Sequence, residues 1–274
     1  YLFVPAELRD PSVAKTTHTI LVLPNNTGKL DDALEFHEAD VKKRMAQVPT
    51  IANLLKVAVI MPVFPRPSTD WKIYTHALDR DAMVTDKKEY VRFDLQLIAM
   101  IDDARRSLKK EGAIFDKRVL INGFSASGMF TNRFAFLHPE RVKAAAIGSP
   151  GGWPIAPAAT YKEKTLRYPI GIADIKEVAG KGLDLETLRK VPLFIYLGDK
   201  DDNDSVIFGD SYDAEDKDLI LPLLGAKPID RWVVARSMYT SAGLNAEFKL
   251  YPGITHTIND QMRNDIRAFL ERHK

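Results

Sequence analysis

Residues 117–128 read KRVLINGFSASG, an apolar run that closes on a small residue, Phe124, Ser125 and three more small residues. Helical sequence follows over 126–137, so Ser125 falls at a strand-to-helix bend tight enough to leave its hydroxyl exposed for acyl transfer. Alone, small residues around a serine make an ordinary turn. The stretch gains meaning from two runs further along the chain: PLFIYLG at 192–198 ends in the acidic cluster 199–204, and the run at 246–251 leads to His256.

Working outward, apolar runs alternate with helical ones. Residues 18–23, HTILVL, form a strand candidate stopped by Pro24, Asn25, Asn26, Thr27 and Gly28, and helix potential spans 31–45. Residues 55–64 form a second apolar run, with Pro62, Pro65 and Pro67 suited to the exit of a buried strand. Over 89–110, Val91, Leu95, Ile98, Ile101, Ala104 and Leu108 recur near the 3.6-residue period of a helix. Residues 142–147, VKAAAI, give another strand, 230–243 a packing helix, 246–251 the last strand and 259–272 a terminal helix. Strands separated by helices favour a mainly parallel sheet covered on both faces, the α/β class. Residues 149–190 break the rhythm and read as a loop-rich insertion over the sheet edge or the site, within one domain spanning 1–274.

Composition narrows the partners. The chain has 274 residues, 45% of them hydrophobic, with 39 basic and 37 acidic residues and a net charge of +2. No global field points to nucleic acid or an acidic polymer. Without cysteine, disulfides, a thiol nucleophile and thiolate metal ligands are excluded, although the compartment is not thereby identified. No run is apolar for long enough to insert stably in a membrane, and the first residues lack the regions of a secretion signal. A start at Tyr1 leaves a removed leader open. The expectation is a soluble chain, with secreted, periplasmic and cytoplasmic locations and the oligomeric state all undecided.

The elbow from Gly123 to Gly128 and the order serine, acid, histidine resemble the α/β-hydrolase superfamily, and the resemblance runs from His18 to the C-terminus. Within it the chain looks most similar to secreted esterases and polyester depolymerases. One departure is visible: the last glycine of G-x-S-x-G is Ser127, with Gly128 following. The resemblance implies Ser125 as nucleophile and His256, in FKLYPGITHTIND after the last strand, as its base. It maps the acid most directly to Asp201, about three residues past the strand-ending glycine, with Asp202 as alternate and Asp199 and Asp204 further off. It also implies two oxyanion donors, the N–H of Ala126 and that of Asn26, with Asn25 as alternate. No metal or organic cofactor is implied.

Phe124, Trp153 and Trp71 are candidate substrate contacts, as are Tyr74, Pro154, Tyr161 and Met129, although aromatic side chains serve core packing equally well. His76 is a lesser substrate-contact candidate. The acidic loop also invites a calcium reading through Asp199, Asp201, Asn203, Ser205 and Asp210, but the central glycine and terminal glutamate of that motif are missing. No phosphate-binding glycine motif occurs. The expected chemistry is hydrolysis of a small-molecule or carbohydrate-linked carboxylic ester. Peptidase, thioesterase, lipase, polyesterase and acyltransferase activities share the machinery, and a non-catalytic binding protein can share the fold.

Overall fold

In the computed structural model, which describes residues 1–10, 12–13 and 16–274, a seven-stranded sheet organises the chain. Its strands are β1 (Leu2–Phe3), β2 (Ile20–Val22), β3 (Ala58–Ile60), β4 (Val119–Phe124), β5 (Val142–Gly148), β6 (Leu193–Gly198) and β7 (Ala246–Tyr251). They lie in the order β1-β3-β2-β4-β5-β6-β7, all parallel except for β1, which pairs antiparallel with β3.

Burial on both faces explains why the central strands read as unbroken apolar runs. Ile20, Val22, Val119, Ile121 and Ile147 face one cluster, which includes Phe93, Leu97 and Ile101 of α3 (Phe93–Lys110) and Phe130 and Phe134 of α4 (Ala126–Leu137). Leu21, Val59, Leu120 and Ala146 face the other, against α1 (Leu34–Met45), α2 (Val48–Leu55) and α7 (Asp260–His273). Each fully buried aliphatic side chain contributes roughly 1.5–3 kcal/mol. Helices on both faces of a mostly parallel sheet give this chain the α/β-hydrolase fold.

The chain course also selects where a site can form. From β2 it passes through α1 and α2 to β3 on one side, then returns to β4 on the other side of β2. The strand order therefore reverses between β2 and β4, with Val22 at the end of β2 paired to Ile121 midway along β4. Ligand crevices in open α/β sheets lie at such reversals. The loop at 24–28 and Ser125 both leave the sheet there.

Some elements differ from the sequence reading. The run at 18–23 splits, because Thr17–His18 pairs with Ile114–Phe115 outside the main sheet while Ile20–Val22 enters it. The run at 55–64 shortens to Ala58–Ile60, because Leu55 closes α2, a helix the sequence reading missed. Pro49 sits in its first turn, where its missing N–H costs nothing. Other elements also escaped notice, among them the two-residue β1 and the helix α5 (Ala214–Leu224), which carries Pro222 near its end. A further helix, α6 (Pro228–Ser241), begins two residues earlier than expected.

The segment between β5 and β6 is more built than its composition suggests. It holds a small hairpin, Thr160–Tyr161 with Lys164–Thr165, and the short helices Ile175–Ala179 and Leu185–Leu188. Its Trp153, Ala156, Leu166 and Ile170 pack in one apolar cluster with Ala126 and Met129, so this segment braces the start of α4. Among the described residues, no helix is long and apolar enough to cross a membrane.

Candidate active site

Ser125 connects β4 to α4 with φ +62° and ψ −127°, a conformation that costs a non-glycine residue of order 1–3 kcal/mol and persists only where its surroundings impose it. Those surroundings can be named. The Ser125 N–H donates to the Gly148 carbonyl at 3.0 Å. Ser127 accepts the Phe124 N–H at 3.0 Å and donates back to the Phe124 carbonyl at 2.9 Å. Thus the departure from the usual glycine supplies a hydroxyl that ties the helix start to the strand end. The close approach falls instead on Gly123 and Gly128. A Cβ on Gly123 would stand 2.0 Å from the Ser127 carbonyl oxygen, and one on Gly128 would stand 2.2 Å from that of Gly148.

His256 lies in the loop after β7, with Nδ1 at 2.9 and 3.0 Å from the two carboxylate oxygens of Asp201. The Asp201 side chain is 1% exposed and that of His256 24%. Burial alone would raise the Asp201 pKa, but the imidazole and the Asn203 N–H, 3.1 Å from Oδ1, hold the carboxyl below the usual aspartate range. The imidazole also packs against Phe124, the residue before Ser125, with ring centroids 4.8 Å apart. In this way the contact of Phe124 with His256 brings the elbow, His256 and Asp201 together at the carboxyl ends of β4, β6 and β7.

The acid and histidine loops are laced together. Asp199 N–H donates to the Tyr251 carbonyl, Lys200 N–H to the Ile254 carbonyl, and Gly253 N–H to the Asp199 carboxylate, at 3.0, 2.9 and 2.7 Å. Gly198 permits this approach, since a Cβ there would meet the Ile254 oxygen at 2.1 Å. The remaining acids are turned to other tasks. Asp202 is exposed. Asp204 forms a buried pair with Arg231 and caps the short helix at Ser205–Phe208. Asp210 binds Arg66. These carboxylates are thus directed to different partners.

The two expected oxyanion donors flank the reversal in strand order. Ala126 is the first residue of α4, where backbone N–H groups have no partner within the helix. On the facing loop, Asn25 is 1% exposed and its side chain is engaged with the main chain of Phe64. The Asn26 carbonyl accepts from Arg44 at 2.8 Å.

The aromatic candidates separate by burial. Phe124 is partly exposed and touches His256. Trp153, expected to form a pocket wall, is 1% exposed, and its indole N–H donates to the Ile170 carbonyl at 2.8 Å. It packs behind the elbow because its large ring fills the cluster around Met129. Trp71 is 42% exposed and lines a cavity of about 320 Å³ with Lys72, Asp81, Ile207 and Tyr212; neither Ser125 nor His256 lines that cavity. Tyr74 and Pro154 are buried, while Tyr161 is partly exposed. His76 is fully buried, with Nε2 2.6 Å from the Phe64 carbonyl. Desolvation, first among several causes, lowers its pKa to about 3, so it is a neutral packing group rather than a surface contact. Sequence reading missed Arg231 and Arg44, whose partners lie 27 and 18 residues away with no local pattern to connect them.

Neither a protein-family model nor a curated protein matches the chain. Solved structures do. Poly(aspartic acid) hydrolase-1 from Sphingomonas sp. KT-1 superposes with a TM-score of 0.59 at 21% identity, covering 92% of this chain and 87% of that one. LpqC, a poly(3-hydroxybutyrate) depolymerase from Bordetella parapertussis, gives a TM-score of 0.52 at 18% identity, covering 88% and 76%. At these identities the likeness establishes a shared fold.

Proposed function

We propose that this protein is a serine-dependent carboxylic ester hydrolase, with Ser125 as nucleophile, His256 as general base and acid, and Asp201 as the group that orients the imidazole. The observation that carries this reading is the strained Ser125 backbone, adjoining Phe124, whose ring packs against an imidazole held on a buried carboxylate. With Nδ1 engaged by Asp201, Nε2 is the nitrogen free to take the Ser125 proton as Oγ attacks the acyl carbon. The N–H groups of Ala126 and Asn26 stabilise the tetrahedral oxyanion; removing one such donor typically costs about 10²–10³ in kcat. His256 then protonates the leaving alcohol. Water attacks the acyl-enzyme with the same base assistance and releases the acid.

Every step uses groups of this chain. Residues 1–274 are read as one domain, with 149–190 as an insertion that braces the elbow. The substrate is a small-molecule or carbohydrate-linked ester, such as a short-chain, acetylated or feruloylated one, with Phe124 as the nearest aromatic contact. The names of the two superposed proteins add polymer hydrolysis to the chemistries worth screening, without selecting among them.

A serine-directed fluorophosphonate tests the nucleophile. The expected result is one covalent adduct on Ser125, absent in a folded Ser125→Ala variant, together with loss of nitrophenyl-ester turnover. Equal labelling of the variant would remove Ser125 from the mechanism. A parallel screen of short esters, carbohydrate-linked esters, thioesters, peptides and a polyester then ranks the substrate classes by kcat/KM.

A further inference from the structure

We infer that Asn25 and Arg44 are positioning residues that hold the Asn26 N–H as the second oxyanion donor, a step that rests on the serine-hydrolase reading above. Two independent anchors flank its N–H, one holding the Asn25 side chain and the other the Asn26 carbonyl.

The first anchor lies inside the protein. The Asn25 amide grips the Phe64 main chain in both directions: Oδ1 accepts the Phe64 N–H at 2.9 Å, and Nδ2 donates to the Phe64 carbonyl at 3.0 Å. The same carbonyl lies 2.6 Å from His76 Nε2. Only a nitrogen bearing its proton sits favourably there, so His76 and Asn25 share that acceptor as two donors. Phe64 is itself fixed, its ring packing against Phe93 and Phe130 at centroid distances of 5.0 Å each. Phe130 belongs to the elbow helix α4. The loop that carries Asn26 and the helix that begins at Ala126 are therefore braced on one aromatic unit.

The second anchor lies on the surface. Arg44, in the last turn of α1, donates through one guanidinium nitrogen to the Asn26 carbonyl at 2.8 Å and through Nε to Asp40 at 2.6 Å. Asp40 stands one helical turn earlier and fixes the plane of the fork. Asn26 thus has the residue before it clamped through a side chain and its own carbonyl held by a cation. The Asn25 side chain fixes the point from which the 25–26 peptide starts, and Arg44 fixes the carbonyl of the next peptide, so both anchors restrict rotation of the plane that carries the Asn26 N–H. A donor contributes to catalysis only if it points at the oxygen as charge develops, and misplacement by about 1 Å can cost on the order of 10²-fold.

The test compares matched oxygen and thionocarbonyl esters. Sulfur is a larger and weaker hydrogen-bond acceptor, so a working oxyanion site favours the oxygen ester, and that preference shrinks when a donor is misdirected. Folding damage alone lowers both rates together. Arg44 is 46% exposed, so Arg44→Gln should fold normally and lower the oxygen-ester kcat about tenfold with KM unchanged, reducing the oxygen-to-thiono ratio in step. Arg44→Lys should recover part of that loss. Asn25→Ala should lower the same ratio further, by roughly 10²-fold.

If Asn25→Ala does not fold, the exposed Arg44 variants decide the matter. An unchanged ratio in folded Arg44→Gln overturns the inference. Phosphonate labelling separates that outcome from a deeper failure: a wild-type protein labelled at Ser125 whose ratio ignores Arg44 defeats only the positioning role, whereas an unlabelled wild type defeats the hydrolase reading and this step with it.

Discussion

Replacing Gly128 with alanine tests whether the elbow depends on contact between two main chains. An added Cβ would stand 2.2 Å from the Gly148 carbonyl oxygen, and the neighbouring Gly148 carbonyl carbon is 3.2 Å away. An ordinary contact needs about 3.4 Å, so the start of α4 and the end of β5 must separate by roughly 1 Å. No flexible side chain can absorb the shift, since the obstructing atoms are backbone. The same Gly148 oxygen accepts the Ser125 N–H at 3.0 Å, and that bond stretches past useful length. Overpacking costs about 1–3 kcal/mol and the lost hydrogen bond about 1 kcal/mol. For a chain of this size the sum lowers Tm by on the order of 3–8 °C. The assay pairs thermal and urea unfolding with the rate of phosphonate labelling, using Gly182→Ala as control because nothing lies within 4 Å of its added Cβ. Gly128→Ala should lose both stability and labelling rate, whereas the control should match wild type. A Gly128→Ala protein within about 0.5 kcal/mol of wild type that labels at the wild-type rate would refute the account of the elbow.

Asp201→Asn should reduce acylation by orders of magnitude while Asp202→Asn stays near wild type, read from burst kinetics; the opposite order would move the orienting role to Asp202. A separate effect concerns stability in acid. Asp94 is buried, which acts to raise its pKa, yet the bonds from His138 at 2.7 Å and Arg92 at 2.8 Å hold it down at about 2 against an ordinary 3.8. A depressed carboxyl stabilises the fold above its unfolded pKa. That contribution, about 2 kcal/mol, should disappear as pH falls from about 4 toward 2. Urea midpoints of wild type and Asp94→Asn should therefore converge over this window, and a constant gap would show that the ion pair is not linked to folding.

Much of this architecture was legible because local signals agreed with the global fold. The runs at 119–121 and 192–198 had the apolar character of strands buried on both faces, and the elbow helix and the last strand had their observed limits, Ala126–Leu137 and Ala246–Tyr251. Short elements were not legible: β1 has two residues, and Pro49 in the first turn of α2 and Pro222 inside α5 disguised real helices. Within the acidic cluster, the approach of Asp201 to His256 depends on Gly198 and on bonds between loops more than 50 residues apart. Trp153 shows the opposite difficulty. A tryptophan beside glycines and prolines suggests an open wall, and only the packing of Met129, Leu166 and Ile170 around it reveals a buried brace.

The lacing of the acid and histidine loops has a thermal consequence. Both loops emerge from β6 and β7, and β7 is the outermost strand on its side, whereas Ser125 rides on β4 deep within the sheet. On the proposed mechanism, fraying of that rim would carry away His256 and Asp201 as a unit and strand an intact Ser125 without its base. On warming, turnover would then fade at a lower temperature than the main melting event, and cooling from that intermediate would restore it.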